Sequence, residues 1–407
     1  MTFSTDTGRV VVIGTGLAGT RLARRLGSAA VLIGEEAHAP YNRVLLAEVL
    51  AGSYGADVIA LPGHTGTHLR TRAVRIDRAE RVVRCEDGSG VPYDTLVLAT
   101  GSNPVLPPLR GLFAPGAAEL PGGVHAFRTM DDCLALSRAV APGVRAVVVG
   151  GGLLGVSAAR ALALRGAQVV LTQQSERLME RQLDPRSSYL VHEHLTSLGV
   201  EVHTQCRVRG VGVADGAVRR VELADGYVLG TDLTVLACGV RPRTGLAAAA
   251  GLDVREGIVV DDELRTSDPR VRAIGDCAQH AGRVYGLATP AVEQADALAE
   301  NLLSGRRSPY AGTRTLTRLT LPHEAGPLDL AAFGEPEALP GDDVVQLADA
   351  TRGTYRKVVV RGDRLVGGVL VGELGTVGAL ARAWEADDAL PDAGAPLLHL
   401  LTHDGGL

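Results

Sequence analysis

Two glycine-rich turns with the same internal spacing are the residues of this chain best suited to bind a ligand. Each follows an apolar run, Val10–Ile13 or Val147–Val149, and the glycines are Gly14, Gly16 and Gly19, then Gly150, Gly152 and Gly155. In this spacing the first glycine permits a tight turn, the second admits a pyrophosphate, and the third lets the helix pack on the strand. Free N–H groups at the helix start favour phosphate oxygens. Two such turns predict two bound dinucleotides.

A carboxylate after the second strand of such a unit usually holds the ribose hydroxyls. In the first unit, Glu35 and Glu36 follow the apolar run Val31–Ile33. In the second unit the matching position is Gln173, which can bond a hydroxyl without a charge. A carboxylate favours NAD and an arginine favours NADP, and Arg177 lies a few residues on. The nicotinamide therefore stays open between NADH and NADPH, with NADH slightly favoured.

The elements that must position these residues alternate between strands and helices. Thr95–Leu98 predicts a buried strand, and Ala99–Gly101 ends it in a small-residue turn suited to lie against a cofactor. Leu233–Cys238 and Val271–Ile274 predict two more buried strands. Asp276 follows the second of these and can reach a polar ligand at the sheet edge. Short alternating runs around Gly216 and Gly226, before these strands, predict hairpins.

A helix is predicted from Thr289 to about Leu303. Thr289 is a suitable N-cap and Pro290 suits the first helical position. The positive end of that helix could stabilise an anionic flavin ring.

The remainder of the chain predicts a β-rich region followed by a short helix. Tyr355–Val360 and Leu365–Val371 flank a turn and indicate a hairpin. Residues 375–384 predict a final helix, and the tail from Pro391 is expected to be peripheral.

Composition excludes several classes of function. The chain has 407 residues, a net charge of −5 and no basic block, so neither nucleic acid nor membrane is an expected partner. The N-terminus does not resemble a signal peptide, and we expect a cytoplasmic protein. Lys357 is the only lysine among 41 basic residues, which indicates a GC-rich, bacterial genome.

The cysteines and histidines indicate no redox pair and no metal site. The five cysteines lie far apart in sequence, and none occurs before Cys85, which argues against disulfide or peroxide reduction at the flavin. His399 and His403 stand at helical spacing but lack an accompanying glutamate. We therefore predict no metal ligands.

The order of these motifs resembles the FAD-dependent pyridine nucleotide-disulfide oxidoreductases. The resemblance implies an α/β fold with two Rossmann-like domains, the NAD(P)-binding domain inserted into the FAD-binding domain, and a C-terminal α+β interface domain. The implied boundaries are 1–112 and 241–312 for the FAD domain, 113–240 for the NAD(P)H domain, and 313–407 for the interface domain with its peripheral tail.

Finer motifs narrow the resemblance. Pro40–Leu46, Arg177–Asp184 and Tyr355–Lys357 are similar to the flavin portion of assimilatory nitrite reductase large subunits and to electron-transfer subunits of nitrate assimilation, and more distantly to rubredoxin and ferredoxin reductases. The cofactor-binding residues predicted from the motifs and the resemblance together are Gly14, Gly16, Leu17, Ala18, Gly19, Glu35, Glu36, Arg43, Val74, Ala99, Thr100, Gly101, Gly150, Gly152, Leu153, Leu154, Gly155, Gln173, Gly239, Gly275, Asp276, Thr289, Pro290, Ala291 and Val292.

Two positions depart from the pattern of these relatives. Many of them carry a glutamate where this chain has Ser157, and ferredoxin reductases often carry a lysine near the flavin where it has Glu48. The two changes are either matched to each other or indicate a different acceptor. The chain also ends at residue 407, so we expect it to lack the iron–sulfur and siroheme regions of a full nitrite reductase.

These observations predict an enzyme that passes hydride from NADH or NADPH to FAD, and electrons on to an iron–sulfur or nitrate/nitrite-reducing partner protein. No side chain is assigned a catalytic role, because the flavin performs the chemistry. An NADH oxidase, a flavin oxidoreductase of specialised metabolism and a flavin-bearing redox sensor stay open as alternatives. The oligomeric state is also open.

Overall fold

The computed structural model of this chain describes residues 8–113, 116, 119–305, 308–323, 326–387, 389–390 and 397–401. Its first segment carries two helices and eight strands. The strands are β1 (Val10–Ile13), β2 (Ala30–Gly34), β3 (Thr67–Arg70), β4 (Ala73–Asp77), β5 (Val82–Cys85), β6 (Gly90–Pro92), β7 (Thr95–Leu98) and β8 (Ser102–Pro104); the helices are α1 (Leu17–Leu26) and α2 (Leu46–Ala51), with 3₁₀ turns at Gly27–Ala29 and Arg43–Leu45.

The middle segment begins a second alternation of strands and helices. Its strands are β9 (Val124–Ala126), β10 (Arg145–Val149), β11 (Gln168–Thr172), β12 (Glu201–His203), β13 (Val208–Ala214), β14 (Ala217–Leu223), β15 (Val228–Gly230), β16 (Leu233–Leu236) and β17 (Val240–Pro242); its helices are α3 (Met130–Ala139), α4 (Leu153–Leu164) and α5 (Pro185–Ser197).

The last segment returns to the first sheet and then forms a β-rich unit. Its strands are β18 (Ile258–Val260), β19 (Val271–Ala273), β20 (Ala278–His280), β21 (Leu316–Leu321), β22 (Leu328–Gly334), β23 (Asp343–Asp349), β24 (Thr354–Arg361) and β25 (Arg364–Val371); its helices are α6 (Gly245–Ala249), α7 (Ala288–Ser304) and α8 (Val377–Ala386), with 3₁₀ turns at Gly275–Cys277 and Leu397–Leu401.

The first sheet is parallel. Four of its strands come from the first segment of the chain and the fifth, β19, comes from the last segment. Its order is β19-β7-β1-β2-β3, and β19 pairs with β7 through Val271 and Leu96. Its central strands β1, β2 and β7 are runs of mostly buried aliphatic residues, as expected for a sheet covered on both faces. Because β19 follows the whole middle segment, that segment is an insertion into the first unit, which confirms the predicted fold class.

The second sheet is also parallel and belongs to the inserted segment. Its order is β12-β11-β10-β16-β9, so the second glycine turn follows its central strand, as the first turn follows β1 in the first sheet. The two predicted hairpins lie beside this sheet as β13-β14-β15, with turns at Gly216 and Gly226. The short antiparallel pair β8–β17 connects the outgoing and returning chain. We propose the domain boundaries near residues 112 and 240 because they lie close to this crossing.

The C-terminal sheet is antiparallel, with order β21-β22-β25-β24-β23. It includes the predicted hairpin, β24–β25, which turns at Gly362. One apolar core joins this sheet to helices of the other two parts, since Leu50 of α2, Leu162 of α4 and Leu330 of β22 belong to one buried cluster. The three parts therefore share an interior rather than meeting at polar surfaces.

Two predictions about the chain's later elements are wrong. Helix α7 begins at Ala288 with Leu287 as its N-cap, so Thr289 and Pro290 lie inside the first turn. The structure tolerates this because a proline in the first turn removes an N–H that would have no helical partner. The tail is not wholly peripheral, since Leu401 is fully buried and Leu400 nearly so against the C-terminal sheet. His403, of the metal candidate, lies outside the described residues.

No helix among the described residues has the length and apolar character needed to cross a bilayer.

A half-buried histidine lies at the junction of α4, α5 and β21. His194 packs edge-to-face against His323, with ring centroids 5.7 Å apart, and its Nε2 atom is buried without a hydrogen-bond partner. Burial, together with the nearby His323 and Arg160, lowers the pKa of His194 to about 4 from its usual 6.5. The folded chain therefore holds this ring neutral at pH values where the unfolded chain protonates it.

The His194 contribution to stability should be fully present above about pH 6.5 and be lost as the pH falls toward 4. The unfolded state binds the extra proton in this window, so the free energy of unfolding decreases with falling pH. We expect the free energy of unfolding to fall by about 1–2 kcal/mol less in His194→Gln than in wild type. This figure takes account of solvent screening, because the ring is half exposed. Urea unfolding at pH 7.5 and 4.5 measures it, with His192→Gln as control. Equal acid sensitivity in wild type and His194→Gln would refute the prediction.

Candidate functional site

The first glycine turn is closed by backbone contacts at two of its glycines. Gly14 has a φ of +119°, and a Cβ there would overlap the carbonyl of Ala99 at the end of β7. A Cβ on Gly19 would overlap the carbonyl of Gly14, because α1 packs directly on the turn. By contrast, a Cβ on Gly16 would meet no atom within 4 Å. Gly16 therefore borders open space, where a pyrophosphate would approach the backbone.

The second turn is built in the same way. Gly150 has a φ of +110° and lies against the carbonyl of Ala237, and Gly155 lies against the carbonyl of Gly150. Gly152 again faces open space, with no atom within 4 Å of a Cβ there. Gly16 and Gly152 are also the N-caps of α1 and α4, and neither helix start has a side-chain cap. Both helix starts thus offer N–H groups to an anion.

A cavity of about 570 Å³ begins at the first turn. This volume lies in the range of small-molecule sites. Predicted residues among those that line it are Gly14, Gly16, Glu35, Glu36, Arg43, Ala99, Thr100 and Gly101. Lining residues that the sequence did not single out include Arg72, Ser102, Asn103, Arg128, Thr129 and Arg243. The cavity is therefore long and polar, with both acidic and basic side chains along it.

The two glutamates at the end of β2 have different partners. Glu35 forms an ion pair with Arg243 and lies 3.6 Å from Arg72. Glu36 forms an ion pair with Arg43 and accepts a 2.6 Å hydrogen bond from the hydroxyl of Tyr41. Glu36 is therefore held mainly by its own loop, whereas Glu35 is held by residues from distant segments across the cavity.

Asp276 is held by two side chains that motif analysis missed. Its Oδ2 atom accepts hydrogen bonds from Arg128 at 2.6 Å and from Ser102 at 2.9 Å. Arg128 immediately precedes Thr129, the N-cap of α3, which forms a capping box with Asp132. The Thr129–Asp132 spacing is visible in the sequence and fixes the helix start. It does not reveal that Arg128 turns toward Asp276, which is 148 residues away.

Several predicted residues lie outside this cavity. Val74 is half exposed on β4, and its neighbour Ala73, which points to the other face of the strand, lines the cavity instead. Arg72, which precedes β4, also lines the cavity. Gly275 lies next to α1, with its N–H donated to Gln294 of α7 at 2.7 Å. The remaining members of this set near the first turn and the first sheet are Leu17, Ala18 and Gly19 in α1, Gly239 before β17, Asp276 in the 3₁₀ turn after β19, and Thr289, Pro290, Ala291 and Val292 in the first turns of α7.

At the second turn, Gln173 bonds the turn itself. Its Oε1 atom accepts the N–H of Gly151 at 2.9 Å, and its Nε2 atom donates to the carbonyl of Arg177 at 3.5 Å. Arg177 forms an ion pair with Glu337, beyond β22 of the C-terminal sheet. Leu153, Leu154 and Gly155 form the first turn of α4. Ser157 follows on α4, and one turn farther Arg160 forms an ion pair with Glu48 of α2.

Two parallel sheets, each with an open glycine turn, define a flavin- and nicotinamide-dependent oxidoreductase fold. The pyridine nucleotide-disulphide oxidoreductase family profile matches residues 8–295, and that of the rubredoxin NAD⁺ reductase C-terminal domain matches residues 326–386. The chain belongs to the pyridine nucleotide-disulphide oxidoreductase family.

The chain is similar over most of its length to curated relatives of nitrogen metabolism. It is 33% identical over 378 residues to a nitrite reductase [NAD(P)H] of Bacillus subtilis, covering 90% of this chain and 46% of the relative. It is 34% identical over 382 residues to the assimilatory nitrate reductase electron transfer subunit of the same organism, covering 90% and 48%. The chain thus spans about half the length of these relatives.

Solved structures match nearly the whole fold. A covalent putidaredoxin reductase–putidaredoxin complex matches with a TM-score of 0.83 and 26% identity, covering 96% of this chain and 97% of that chain. A ferredoxin reductase from Rhodopseudomonas palustris matches with a TM-score of 0.82 and 27% identity, covering 94% and 96%.

The cofactors of this chain are FAD and a nicotinamide dinucleotide. The structure fits both groups, because Gly16 and Gly152 each leave room for a pyrophosphate at a helix start without a side-chain cap.

Gly16 and Gly152 face open space, whereas Gly14 lies against backbone, so alanine substitutions at these glycines should have different effects on cofactor binding and on stability. Gly16→Ala should weaken FAD binding at least about tenfold, or 1.4 kcal/mol, because a methyl group enters the pyrophosphate space. Gly152→Ala should weaken NADH binding by a similar factor and leave FAD content unchanged. Both apo proteins should melt within about 2 °C of wild type. Flavin titration and calorimetry measure these effects. Gly14→Ala, which overlaps backbone, is the destabilised comparison; unchanged FAD affinity in Gly16→Ala would contradict this division.

Asp276, Arg128 and Ser102 form a hydrogen-bonded group, here called the Asp276 cluster, which gives a second prediction. Asp276→Asn should weaken FAD retention about tenfold, and Arg128→Met should do so to a similar extent because the carboxylate loses its charged partner. Fluorescence titration of the apo protein with FAD measures both variants. Asp296→Asn, which removes one partner of the α1–α7 ion pair with Arg21, is the control. Wild-type affinity in both cluster variants would show that the cluster does not serve the cofactor.

Proposed function

We propose that this chain takes hydride from NADH at its second glycine turn, onto FAD held at its first, and then reduces a separate iron–sulfur or nitrate/nitrite-reducing protein. The observation that supports this most strongly is the duplicated turn, with the second glycine open in both copies. One dinucleotide site would suffice for a binding module. Two dinucleotide sites in one chain favour a hydride donor bound at one site and a hydride acceptor bound at the other.

The bound flavin supplies the chemistry by accepting the hydride, two electrons with one proton, from the nicotinamide and releasing electrons to the next acceptor. The residues of the chain bind the flavin and the nicotinamide dinucleotide and orient them relative to each other. The start of α1 holds one pyrophosphate and the start of α4 the other, because both present free N–H groups. Glu35 is placed to accept from ribose hydroxyls at the end of β2. Asp276 is placed to bind cofactor hydroxyls, with its charge balanced by Arg128.

NADH is the donor we favour. An arginine that selects NADPH must offer its guanidinium to a 2′-phosphate. Arg177, the nearby candidate, forms an ion pair with Glu337 and has its Nε atom buried. Gln173 contributes an uncharged amide, which suits two ribose hydroxyls better than a phosphate dianion.

The proposed acceptor is a redox protein rather than a small molecule. Support comes from the relatives, which include an electron transfer subunit, a rubredoxin–NAD⁺ reductase and nitrite reductases. The chain covers about half the length of the electron transfer subunit and of the nitrite reductase of Bacillus subtilis, and the separate acceptor protein is part of the proposal. We place the reaction in the cytoplasm, where the NADH pool is available.

An anaerobic stopped-flow experiment tests the first half-reaction. The flavin band of the purified protein should bleach rapidly with NADH and at least about tenfold more slowly with NADPH. Gly152→Ala, with its FAD retained, is the matched control and should need more NADH for the same rate. No bleaching with either nucleotide would overturn the proposed function. Rapid oxygen consumption without a partner protein would favour an NADH oxidase instead.

A further inference from the structure

A buried ion pair joins the helix after the first cavity to the helix after the second glycine turn. Arg160 of α4 is 1% exposed in its side chain and forms an ion pair with Glu48 of α2. Its Nη1 atom also donates to the carbonyl of Pro322, directly after β21, at 3.3 Å. The arginine therefore contacts all three parts of the fold, and its Nε atom is buried with no hydrogen-bond partner among the described residues.

Stability alone is a poor explanation for this pair. Removing two charges from water is costly, and apolar residues of similar size often stabilise a protein equally well or better. The surroundings would accept such residues, since Leu50 of α2 and Ala161 of α4 are fully buried neighbours in the same core. What a guanidinium–carboxylate pair adds is direction, because its hydrogen bonds form at one relative orientation of the two helices.

The two helices lead directly to the two nucleotide sites. Helix α4 starts at the N-cap Gly152, and Arg160 lies about 12 Å along its axis from there. Helix α2 follows Arg43, which lines the first cavity. A second contact fixes the far end of α4, where Arg165 donates to the carbonyl of Leu50 at 3.1 Å. Helix α4 is therefore attached to α2 at two points along its length.

We propose that Glu48 and Arg160 are a positioning pair that sets the second glycine turn relative to the first cavity, so that the nicotinamide meets the flavin in reactive geometry. The proposal rests on the NADH-to-flavin reaction above. Both side chains act through the helices that carry the two sites. A misplacement of about 1 Å between reactants can cost a factor of 100 in rate. The pair also accounts for the two departures from the relatives' pattern. Many relatives have an anion at the position of Ser157, and ferredoxin reductases often have a cation at the position of Glu48, whereas in this chain the anion Glu48 lies on α2 and its cation Arg160 lies on α4.

The test replaces the pair by apolar residues, Glu48→Leu with Arg160→Met, so that neither charge is left buried alone. We expect an unchanged or higher melting temperature, an NADH dissociation constant within twofold of wild type, and a limiting rate of flavin reduction at least about tenfold lower. Arg160→Lys, which keeps the charge but not the planar guanidinium, should recover only part of the rate. Arg145→Met with Asp232→Leu removes an ion pair within the second sheet and should leave the rate unchanged.

A second readout does not depend on the reaction. Hydrogen exchange of the apo protein should be faster in residues 43–51 and 150–155 of the apolar double variant than in wild type, with other segments unchanged. A folded double variant with a wild-type rate and wild-type exchange would overturn the positioning role. If the wild-type protein does not react with NADH, the proposed function is wrong. In that case the positioning role is judged by hydrogen exchange alone, and it is rejected if the double variant exchanges like wild type.

Discussion

The close approach of three backbone segments at each glycine turn is the constraint on which the rest of this structure depends. At the first turn, Gly14 lies against the carbonyl of Ala99, and Gly19 lies against the carbonyl of Gly14. The second turn repeats the arrangement against Ala237. Because these contacts join backbone to backbone, the turn cannot shift without moving its sheet. Each helix start is thereby held at a fixed distance from the strand ends, which is what a pyrophosphate needs.

Around these fixed turns, charged side chains come from segments that are far apart in sequence. Arg243 reaches Glu35 from the returning chain, and Arg128 reaches Asp276 from the start of α3. The first pair joins residues that precede and follow the inserted segment, and the second joins a residue of that segment to one that follows it. The binding surface is therefore complete only when the insertion is folded in place. The apolar core shared by α2, α4 and β22 holds that arrangement together.

Local sequence predicted the strands, the turns and the division of roles among the glycines, because each depends on neighbours within a few residues. Gly16 is such a case, although its cofactor role stays a prediction. Arg128 and Arg243 escaped prediction because their partners are set by how distant segments pack. Thr289 failed as an N-cap for a related reason: the turn before α7 places the helix start earlier than side-chain preference indicates. Leu401 is buried by a sheet whose outer strand lies far upstream.

The first sheet also constrains the order in which the chain can fold during synthesis. Its edge strand β19 pairs with β7, and the whole inserted segment lies between them, with Val271 opposite Leu96. A ribosome must therefore release more than 170 residues after β7 before the first sheet can close. The inserted segment, whose second sheet is assembled from nearby strands, can fold in that interval. All strands of the nicotinamide unit are therefore synthesised before the first sheet of the flavin unit can close.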